Sequence, residues 1–258
     1  MIELDYIYNE DCLIGMQRIP DASIDCIICD PPYGTTACRW DVTLPLDALW
    51  QQYARLIRPD GAIVVFCSQP FTAHLVLSRP DWFRFMLYWR KSRPAGYVNC
   101  RHMPLRDIEE IAVFSPASTA NGAAVNIKYR PQGLVEVNRS WHRPVIHDRT
   151  SAISYSRAGH ATERTIRYTG YPRQVLDFSN PNRRLVHPTQ KPVPLIEYLI
   201  RTFSDEGDTV LDNCIGSGTT AVACIRSGRH FIGFETDPVF YQTAIGRIRA
   251  ERGADGQR

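Results

Sequence analysis

The sequence predicts an α/β fold with a parallel sheet, and two features of its apolar pattern carry this prediction. Short apolar runs recur along the chain, and a stretch with helical periodicity follows them. Such alternation is typical of βαβ units, in which successive strands pair in parallel. The predicted strands are residues 24–29, 62–67, 209–211 and 231–234.

Four helices are predicted around these strands. The first has one apolar face, formed by Leu46, Leu49, Trp50, Tyr53, Leu56 and Ile57. It should end at the Arg-Pro-Asp-Gly sequence of residues 58–61. The second follows Pro192 and Pro194, whose fixed φ suits a helix start, and its face consists of Ile196, Leu199, Ile200 and Phe203. A third helix should begin near Thr219 and a fourth near Asp237.

The central segment, residues 117–184, differs from its flanks. It contains eleven Lys and Arg and four Asp and Glu, a net charge of +7, whereas the whole chain has 30 against 27, or +3. Aromatic residues are interleaved with this charge, and periodicity is weak. A basic, aromatic-rich insert in a scaffold of net charge −4 is typical of an element that reads nucleic acid, although a solvated loop has a similar composition. The sequence therefore predicts three parts, 1–116, 117–184 and 185–258.

Composition and cysteines exclude several classes. No apolar stretch reaches the roughly 18 to 20 residues of a membrane span, and the first residues lack a signal-peptide pattern, so we expect a cytoplasmic protein with no membrane partner. The eight cysteines are then expected to be reduced. Cys26 and Cys29 lie in a predicted strand, where residues three apart point to opposite faces, so no metal site is expected.

The sequence Asp30-Pro31-Pro32-Tyr33 directly follows the first long predicted strand. Parallel sheets place their reactive groups at the carboxyl ends of strands. Two prolines make a stiff turn with free carbonyls, and Asp30 adds a carboxylate acceptor. Together they can accept both hydrogens of an exocyclic amino group while Tyr33 stacks on the ring that bears it. This arrangement predicts catalysis by orientation, without a covalent intermediate.

A second motif is a glycine loop between a predicted strand and a helix, residues 210–220, Val-Leu-Asp-Asn-Cys-Ile-Gly-Ser-Gly-Thr-Thr. Glycines allow a ligand to approach the backbone closely. Glu235, nineteen residues after Gly216, ends the next predicted strand and is placed to accept from ribose hydroxyls. An adenosine-type cofactor fits this pattern. The spacing Gly216-x-Gly218-x-x-Ala221 also fits the dinucleotide fingerprint, so an NAD-dependent oxidoreductase remains an alternative.

In their order along the chain, these motifs resemble the amino-methylating DNA methyltransferases of the permuted β group, as found in bacteria and bacteriophages. The resemblance covers almost the whole chain, including Asn9 to Cys12, the Trp89 to Phe114 run and the His-Pro-Thr-Gln-Lys-Pro sequence of 187–192. It implies a Rossmann-like methyltransferase fold with a doubly wound, mostly parallel sheet, S-adenosylmethionine as cofactor, and 117–184 as target-recognition insert. One departure is Asn213-Cys214, where the family often has Pro-Phe.

The resemblance also implies roles for individual residues. The catalytic turn is Asp30, Pro31, Pro32 and Tyr33. Cofactor contacts are expected from Asp212, Gly216, Ser217, Gly218 and Thr219 at the methionine part, Glu235 at the ribose, Asp11 and Cys12 at the adenine, and Thr189, Gln190 and Lys191 over the amino acid end. DNA contacts are expected from Arg93, Arg101 and Arg106 near a flipped base, and from Arg130, Arg139 and Arg143 in the insert.

The predicted reaction is transfer of a methyl group to the N6 amino group of adenine in DNA, because adenine enzymes of this family mostly carry Asp or Asn before the two prolines. Methylation of cytosine N4 is the nearest alternative, and a catalytically silent DNA-binding protein is another. The resemblance implies DNA as the partner and leaves open a homodimer and a cognate restriction endonuclease.

Overall fold

The computed structural model describes residues 2–34, 43–142, 163–181 and 190–255. They divide into two compact units. The first unit comprises Met1–Arg130 and Gln174–Arg258, and the second unit is Pro131–Arg173. In the part of the chain that is described, no helix is both long and apolar enough to cross a membrane.

An eight-stranded sheet forms the centre of the first unit. Its strands are β1 Tyr6–Tyr8, β2 Ile24–Cys29, β3 Ile57–Cys67, β4 Phe83–Ala95, β5 Arg106–Phe114, β8 Val175–Phe178, β9 Thr209–Asp212 and β10 His230–Phe234, in the spatial order β1-β10-β9-β2-β3-β5-β4-β8. The first five strands in this order, β1, β10, β9, β2 and β3, pair in parallel. Strand β5 is antiparallel to both of its neighbours, β3 and β4. The predicted mostly parallel sheet is therefore confirmed.

Helices cover both faces of this sheet. They are α1 Cys12–Gly15, α2 Leu46–Leu56, α3 Phe71–Ser78, α4 Val193–Phe203, α5 Thr219–Ser227 and α6 Pro238–Asp255. Strand residues alternate between the two faces, so each face buries its own apolar cluster. Ile28, Val64 and Val113 pack with α4, α5 and α6, and Ile27, Ile63 and Phe114 pack with α1, α2 and α3. The sheet is doubly wound, as predicted.

The start of β3 differs from the expectation. Residues 58–61 were predicted to separate the first helix from a strand beginning at Ala62, yet β3 begins at Ile57. The pairing with β2 jumps from Ile24↔Ile57 to Cys26↔Ala62, so these four residues form a bulge in the strand. A side chain at Gly61 would place its Cβ 2.7 Å from the Asp25 carbonyl oxygen, which explains the glycine at this position.

The second unit contains the hairpin-like pair β6 Val135–His142 and β7 Glu163–Thr169, which are antiparallel. The second unit spans fewer residues than the insert predicted at 117–184. At one end, Lys128 belongs to the first unit because its backbone N–H donates to Asp60 and its ammonium lies 2.6 Å from Asp208. At the other end, Val175–Phe178 pairs with β4 in the large sheet.

The crevice of the first unit lies where the winding reverses. β2 and β9 are neighbours in the sheet, but the chain leaves β2 toward the face covered by α2 and leaves β9 toward the face covered by α5. Two connections that diverge in this way leave a gap at the carboxyl ends of the strands. Two motifs about 180 residues apart in sequence therefore meet at this edge.

Candidate active site at the carboxyl edge of the sheet

A cavity of about 1380 Å³ lies at this edge, within the first unit. Both sequence motifs line it, together with residues at the ends of β1, β4, β5 and β10. Of the residues predicted to bind substrate or cofactor, those that line it are Asp11, Cys12, Asp30, Pro31, Pro32, Tyr33, Gln190, Lys191, Asp212, Gly216, Ser217, Thr219 and Glu235. Thr189 lies outside the described residues.

Asp30 is held from two sides. The Tyr33 hydroxyl donates to its Oδ1 at 2.6 Å, and the Lys191 ammonium donates to its Oδ2 at 2.5 Å. Burial, followed by the negative charge of Asp30, raises the pKa of Tyr33 well above its ordinary value, so the phenol stays protonated and donates. The Asp30 side chain keeps 25% of its surface exposed, so a ligand in the cavity can still reach the carboxylate.

The Tyr33 ring already has one neighbour. It stacks on Phe71 of α3 with ring centroids 5.4 Å apart and planes 25° apart. The expected stacking of Tyr33 on a base therefore has to use the opposite face of the ring.

The glycine loop between β9 and α5 is shaped by backbone that other residues adopt poorly. Gly216 has φ +53° and Gly218 has φ +81°, both in the left-handed region. A Cβ at Gly218 would lie 2.9 Å from the Cβ of Ala244 on α6. Asp212 supports the loop from below, accepting from the Cys214 N–H at 3.0 Å and the Thr220 hydroxyl at 2.5 Å. Burial raises the pKa of Asp212 to about 7.

Asn213 and Cys214, the departure from the family pattern, have partners of their own. The Tyr53 hydroxyl donates to Asn213 Oδ1 at 2.6 Å. The Asn213 amide donates to the sulfur atoms of Cys214 at 3.5 Å and Cys12 at 3.7 Å. A buried amide is thus satisfied by a tyrosine and two thiols, which ties the loop to α1 and α2.

The far end of the cavity carries two carboxylates. Asp11 caps α1, accepting from the backbone N–H of Leu13 at 2.8 Å and of Ile14. Glu235 follows β10, and its Oε1 accepts from the Asp237 N–H at 2.8 Å. Burial raises the pKa of Glu235. Both acids line the cavity, as the sequence predicted for residues that contact the nucleoside of the cofactor.

These features fit a nucleoside cofactor. The glycine loop and two carboxylates, Asp11 and Glu235, line the cavity, and the buried Oε1 of Gln190 has no hydrogen-bond partner among the described residues. An unpaired buried acceptor costs free energy unless a ligand donates to it. The chemistry of the cavity wall therefore matches an adenosine group at one end and polar amino acid groups near the loop.

Three residues of the site were missed in the sequence. Arg247 of α6 donates to the Ser217 carbonyl at 2.7 Å and contacts the Ser217 and Thr219 hydroxyls, so it clamps the loop. Glu109 and Lys91 line the cavity beside Lys191. Residues 108–114 are two adjacent glutamates flanked by apolar residues, without a polar-apolar alternation that would distinguish Glu109 from Glu110, and Arg247 is one of several arginines in a charged helix, so neither had a distinguishing signal.

The predicted DNA-contacting arginines occupy different environments. Arg93 and Arg106 line the cavity, and Arg101 is exposed on the segment between β4 and β5. Arg130 forms a two-pronged ion pair with Asp205, both contacts being 2.9 Å. Arg139 is exposed on β6 of the second unit. Arg143 lies outside the described residues.

The fold and the cavity place the chain among doubly wound α/β enzymes that bind a nucleotide-type cofactor at the switch point of the sheet. Comparison with known proteins narrows this class. The family model for DNA methylases, named for N6 and N4 methyltransferases, matches residues 24–246. The chain belongs to this DNA methylase family, and it is an amino-methylating DNA methyltransferase of the N6-adenine or N4-cytosine kind.

Relatives of known name extend this finding. The chain is 25% identical to the Type II methyltransferase M1.MboII of Moraxella bovis, over 95% of this chain and 96% of the relative. The crystal structure of the M1.HpyAVI-SAM complex matches with a TM-score of 0.60 and 24% identity, covering 93% of this chain and 98% of the other. The cytosine-N4-specific PvuII DNA methyltransferase matches with a TM-score of 0.65 and 18% identity, covering 93% and 85%.

The predicted resemblance and the predicted methyltransferase fold are both confirmed by these matches. The alternative of an NAD-dependent oxidoreductase loses its support, because the family match accounts for the glycine loop and the Asp30 turn together.

Proposed function

We propose that the protein methylates the N6 amino group of adenine at a specific DNA sequence, with S-adenosylmethionine as methyl donor. The observation that carries this proposal is the placement of the Asp30 carboxylate and the Pro31-Pro32 turn in the same cavity as the glycine loop. An amino group held at Asp30 would lie in the cavity that also holds the cofactor. Asp before the two prolines favours adenine over cytosine.

The chain's contribution to the reaction is orientation. When bound, S-adenosylmethionine supplies a methyl group that is already electrophilic. Asp30 and the Pro31 carbonyl accept the two hydrogens of the amino group and aim the nitrogen lone pair at that methyl carbon. The nitrogen–carbon bond forms as the carbon–sulfur bond breaks, and the surplus proton leaves to Asp30 or to solvent.

The target base has to leave the double helix to reach Asp30. An amino group paired inside a duplex cannot enter a cavity of this kind, so we infer base flipping. The face of Tyr33 opposite Phe71 is the proposed stacking surface for the flipped base.

DNA contacts are proposed for the arginines near the cavity and for the second unit. Arg93, Arg101 and Arg106 would meet the strand that carries the flipped base. Arg139 and Arg143 would contact DNA from the segment that includes the second unit, which we propose as the core of the target-recognition insert. Arg130 is the weakest candidate of the set, because its charge is paired with Asp205.

Methylation of cytosine N4 is the second candidate. The structural match to the cytosine-N4-specific PvuII enzyme favours it. The two reactions differ only in the ring that bears the amino group, so the same cavity and the same carboxylate serve both.

The deciding experiment identifies the product. Purified protein is incubated with S-adenosylmethionine and unmethylated bacterial DNA, and the DNA is digested to nucleosides for mass spectrometry. N6-methyladenine would support the proposal. N4-methylcytosine would transfer it to the second candidate, and the absence of any methylated nucleoside would favour a catalytically silent DNA-binding protein.

Three wider expectations accompany this proposal. The name of the Moraxella relative suggests a Type II restriction-modification context, so we propose a cognate restriction endonuclease as a functional partner. A homodimer and a cytoplasmic location remain predictions.

A further inference from the structure

Asp30 is the first member of a chain of four alternating charges. Lys191 Nζ lies 2.5 Å from Asp30 Oδ2 and 2.8 Å from Glu109 Oε1, and Lys91 Nζ lies 2.6 Å from Glu109 Oε2. We name these four residues the charge chain. The side chains of Lys191, Glu109 and Lys91 are 9%, 11% and 19% exposed, and all four residues line the cavity, so the charge chain lies along the cavity wall with its inner members largely shielded from solvent.

The sheet brings the four side chains together. Asp30 follows β2, Lys191 precedes α4, and the Lys191 ammonium lies 5.0 Å from the centre of the Phe66 ring on β3. Glu109 is on β5, one strand further along, and pairs with Trp89 of β4, which makes Lys91 its diagonal neighbour. Lys191 therefore bridges the ends of β2 and β5 across the ring of Phe66.

The residue types fit a positioning role. Three of the 30 basic residues of the protein are lysines, and two of these three are in the charge chain. An ammonium is a compact donor that can contact two carboxylates in different directions, whereas a planar guanidinium prefers to engage one carboxylate in a fork. Lys191 thus lies where a point charge between two acids is needed.

Glu109 is needed to keep the Lys191 ammonium in place. Burial lowers the pKa of a lysine, but Asp30 and Glu109 outweigh burial and raise the pKa of Lys191 above its ordinary value. Burial likewise opposes the charge of Glu109, and the two lysines outweigh it and lower its pKa. Lys191 and Glu109, the two inner members, therefore stay charged because each lies between two groups of opposite charge. The Lys191 ammonium lies 2.8 Å from Glu109 Oε1 but does not have hydrogen-bond geometry there, and no other described residue donates to this oxygen. The contact between Lys191 and Glu109 is therefore an ion pair.

We propose that Glu109 is a positioning residue for methyl transfer, which holds the Lys191 ammonium against Asp30 and so fixes the carboxylate that receives the amino group. This inference rests on the proposed function of Asp30. Glu109 does not touch the reacting atoms; it acts through Lys191. Removing its charge would leave Lys191 with one carboxylate that it must share with the substrate, and Asp30 would lose its fixed orientation.

The test compares two neighbouring glutamates on β5. In Glu109→Gln the shape is kept and the charge between the lysines is lost. The matched control is Glu110→Gln, because Glu110 points to the other face, where it accepts from the Thr72 hydroxyl. Glu109→Asp keeps the charge and serves as the conservative variant. Each protein is assayed for S-adenosylmethionine affinity by calorimetry and for single-turnover methylation of unmethylated bacterial DNA across pH.

We expect Glu109→Gln to slow methyl transfer by about 100-fold, the scale of a misplaced catalytic group. Cofactor affinity should change far less than the rate, because Glu109 acts through Lys191 on Asp30 and is not one of the residues proposed to contact the cofactor. The alkaline limb of the rate profile should move to lower pH, because Lys191 loses one of the two carboxylates that raise its pKa and keeps only Asp30 in contact. The other titratable groups around this contact, Lys91, Tyr33 and the buried Asp212, are unchanged in the variant. Glu110→Gln should match the natural protein, and Glu109→Asp should keep its alkaline limb.

A second measurement reads the charge chain without any reaction. Lysine labelled with ¹³C at Cε gives three NMR signals in this protein, which substitution of each lysine by arginine assigns. In the natural protein the Lys191 signal should stay that of an ammonium through alkaline pH, and in Glu109→Gln it should titrate at lower pH.

Several results would overturn the inference. They are an unchanged rate and pH profile in Glu109→Gln, an equal loss in Glu110→Gln, a loss of cofactor affinity that accounts for the whole rate effect, or an unchanged Lys191 titration. If the natural protein produced no methylated nucleoside, the proposed function itself would fail, and this inference with it.

Discussion

At the scale of single residues, the carboxylates of the cavity have different tasks that their surroundings set. Asp30 is a quarter exposed and faces the cavity, whereas Asp212 is buried and holds the backbone of the glycine loop. Asp11 and Glu235 both accept from backbone N–H groups of their own segments. Carboxylates of one cavity therefore differ in burial and partners, and the proposed division between substrate, loop and cofactor follows these differences.

Asp30→Ala should abolish methyl transfer and leave cofactor binding nearly intact. The substitution removes the acceptor that orients the amino group, for which a loss of about 10³-fold or more is expected. Calorimetry with S-adenosylmethionine and a methylation assay measure the two effects separately. A large loss of cofactor affinity would show that Asp30 faces the cofactor rather than the base.

Asp212→Asn should make the cofactor-free protein more stable at alkaline pH. The pKa of Asp212 is raised to about 7, so the folded state binds its proton more tightly than the unfolded state does. An acid of this kind lowers stability progressively as pH rises from its unfolded pKa to its folded pKa. Asparagine stays neutral, and the Thr220 hydroxyl can turn to accept from its amide.

Urea unfolding at pH 5 and pH 8 checks this expectation. The gain in unfolding free energy from Asp212→Asn should be larger at pH 8 by about 3 kcal/mol, since the effect grows over the two pH units from 5 to the folded pKa of about 7 at about 1.4 kcal/mol per unit. A gain of the same size at both pH values would mean that Asp212 is ionised throughout.

At the scale of secondary structure elements, the cofactor loop depends on the packing of α6 against α5. Gly218 sits where the two helices approach, and Arg247 of α6 reaches back to the loop that contains it. The sequence located the loop and the helix starts correctly, because glycines, prolines and apolar periodicity are local signals. It gave no indication that α6 would hold the loop, because that contact joins positions about 30 residues apart.

Two glycines of this region should respond in opposite directions to alanine. Gly218→Ala adds a Cβ 2.9 Å from that of Ala244 and forces a left-handed backbone, which costs about 1–2 kcal/mol from the conformation alone. Gly246→Ala in α6 has no atom within 4 Å of the added Cβ and should stabilise the protein by about 0.5–1 kcal/mol. Thermal unfolding of the two variants measures both signs, and S-adenosylmethionine affinity should fall in Gly218→Ala alone. Equal behaviour of the two variants would refute the role of Gly218 in the loop.

At the scale of the whole molecule, the chain separates a nucleotide-type cavity from a second unit with a basic composition. The second unit contains seven arginines and three acids, a net charge of +4. All of the described residues that line the cavity belong to the first unit. Cofactor binding and DNA recognition are therefore expected to be separable.

Replacing residues 131–173 by a flexible glycine-serine linker should preserve S-adenosylmethionine affinity and lower the rate of DNA methylation by about 10³-fold or more, the usual margin between specific and nonspecific binding. Calorimetry and methylation of bacterial DNA measure the two properties. Retained methylation in this variant would assign recognition to the first unit, and lost cofactor affinity would show that the two units depend on each other.

The sequence by itself determined the α/β class, the two motifs and their order, since each rests on local chemistry: apolar runs, stiff prolines and permissive glycines. It predicted the start of α5 at Thr219 and the end of β2 at Cys29, because glycine and proline mark those boundaries. It missed β1, β4, β5 and β8 of the large sheet and the pair β6 and β7, and it placed the start of β3 five residues late, because these strands and boundaries depend on pairing across the sheet.

Only the tertiary structure decided which side chains act together. The order of β9, β2, β3 and β5 in the sheet brings Asp30, Lys191 and Glu109 within ion-pair distance, although they are far apart in sequence. It also placed Lys128 and Arg130, both within the basic segment 117–184, in ion pairs with Asp208 and Asp205. The partner of a charged residue cannot be predicted from local sequence, because electrostatic energy depends on distance and burial, and the tertiary structure determines both.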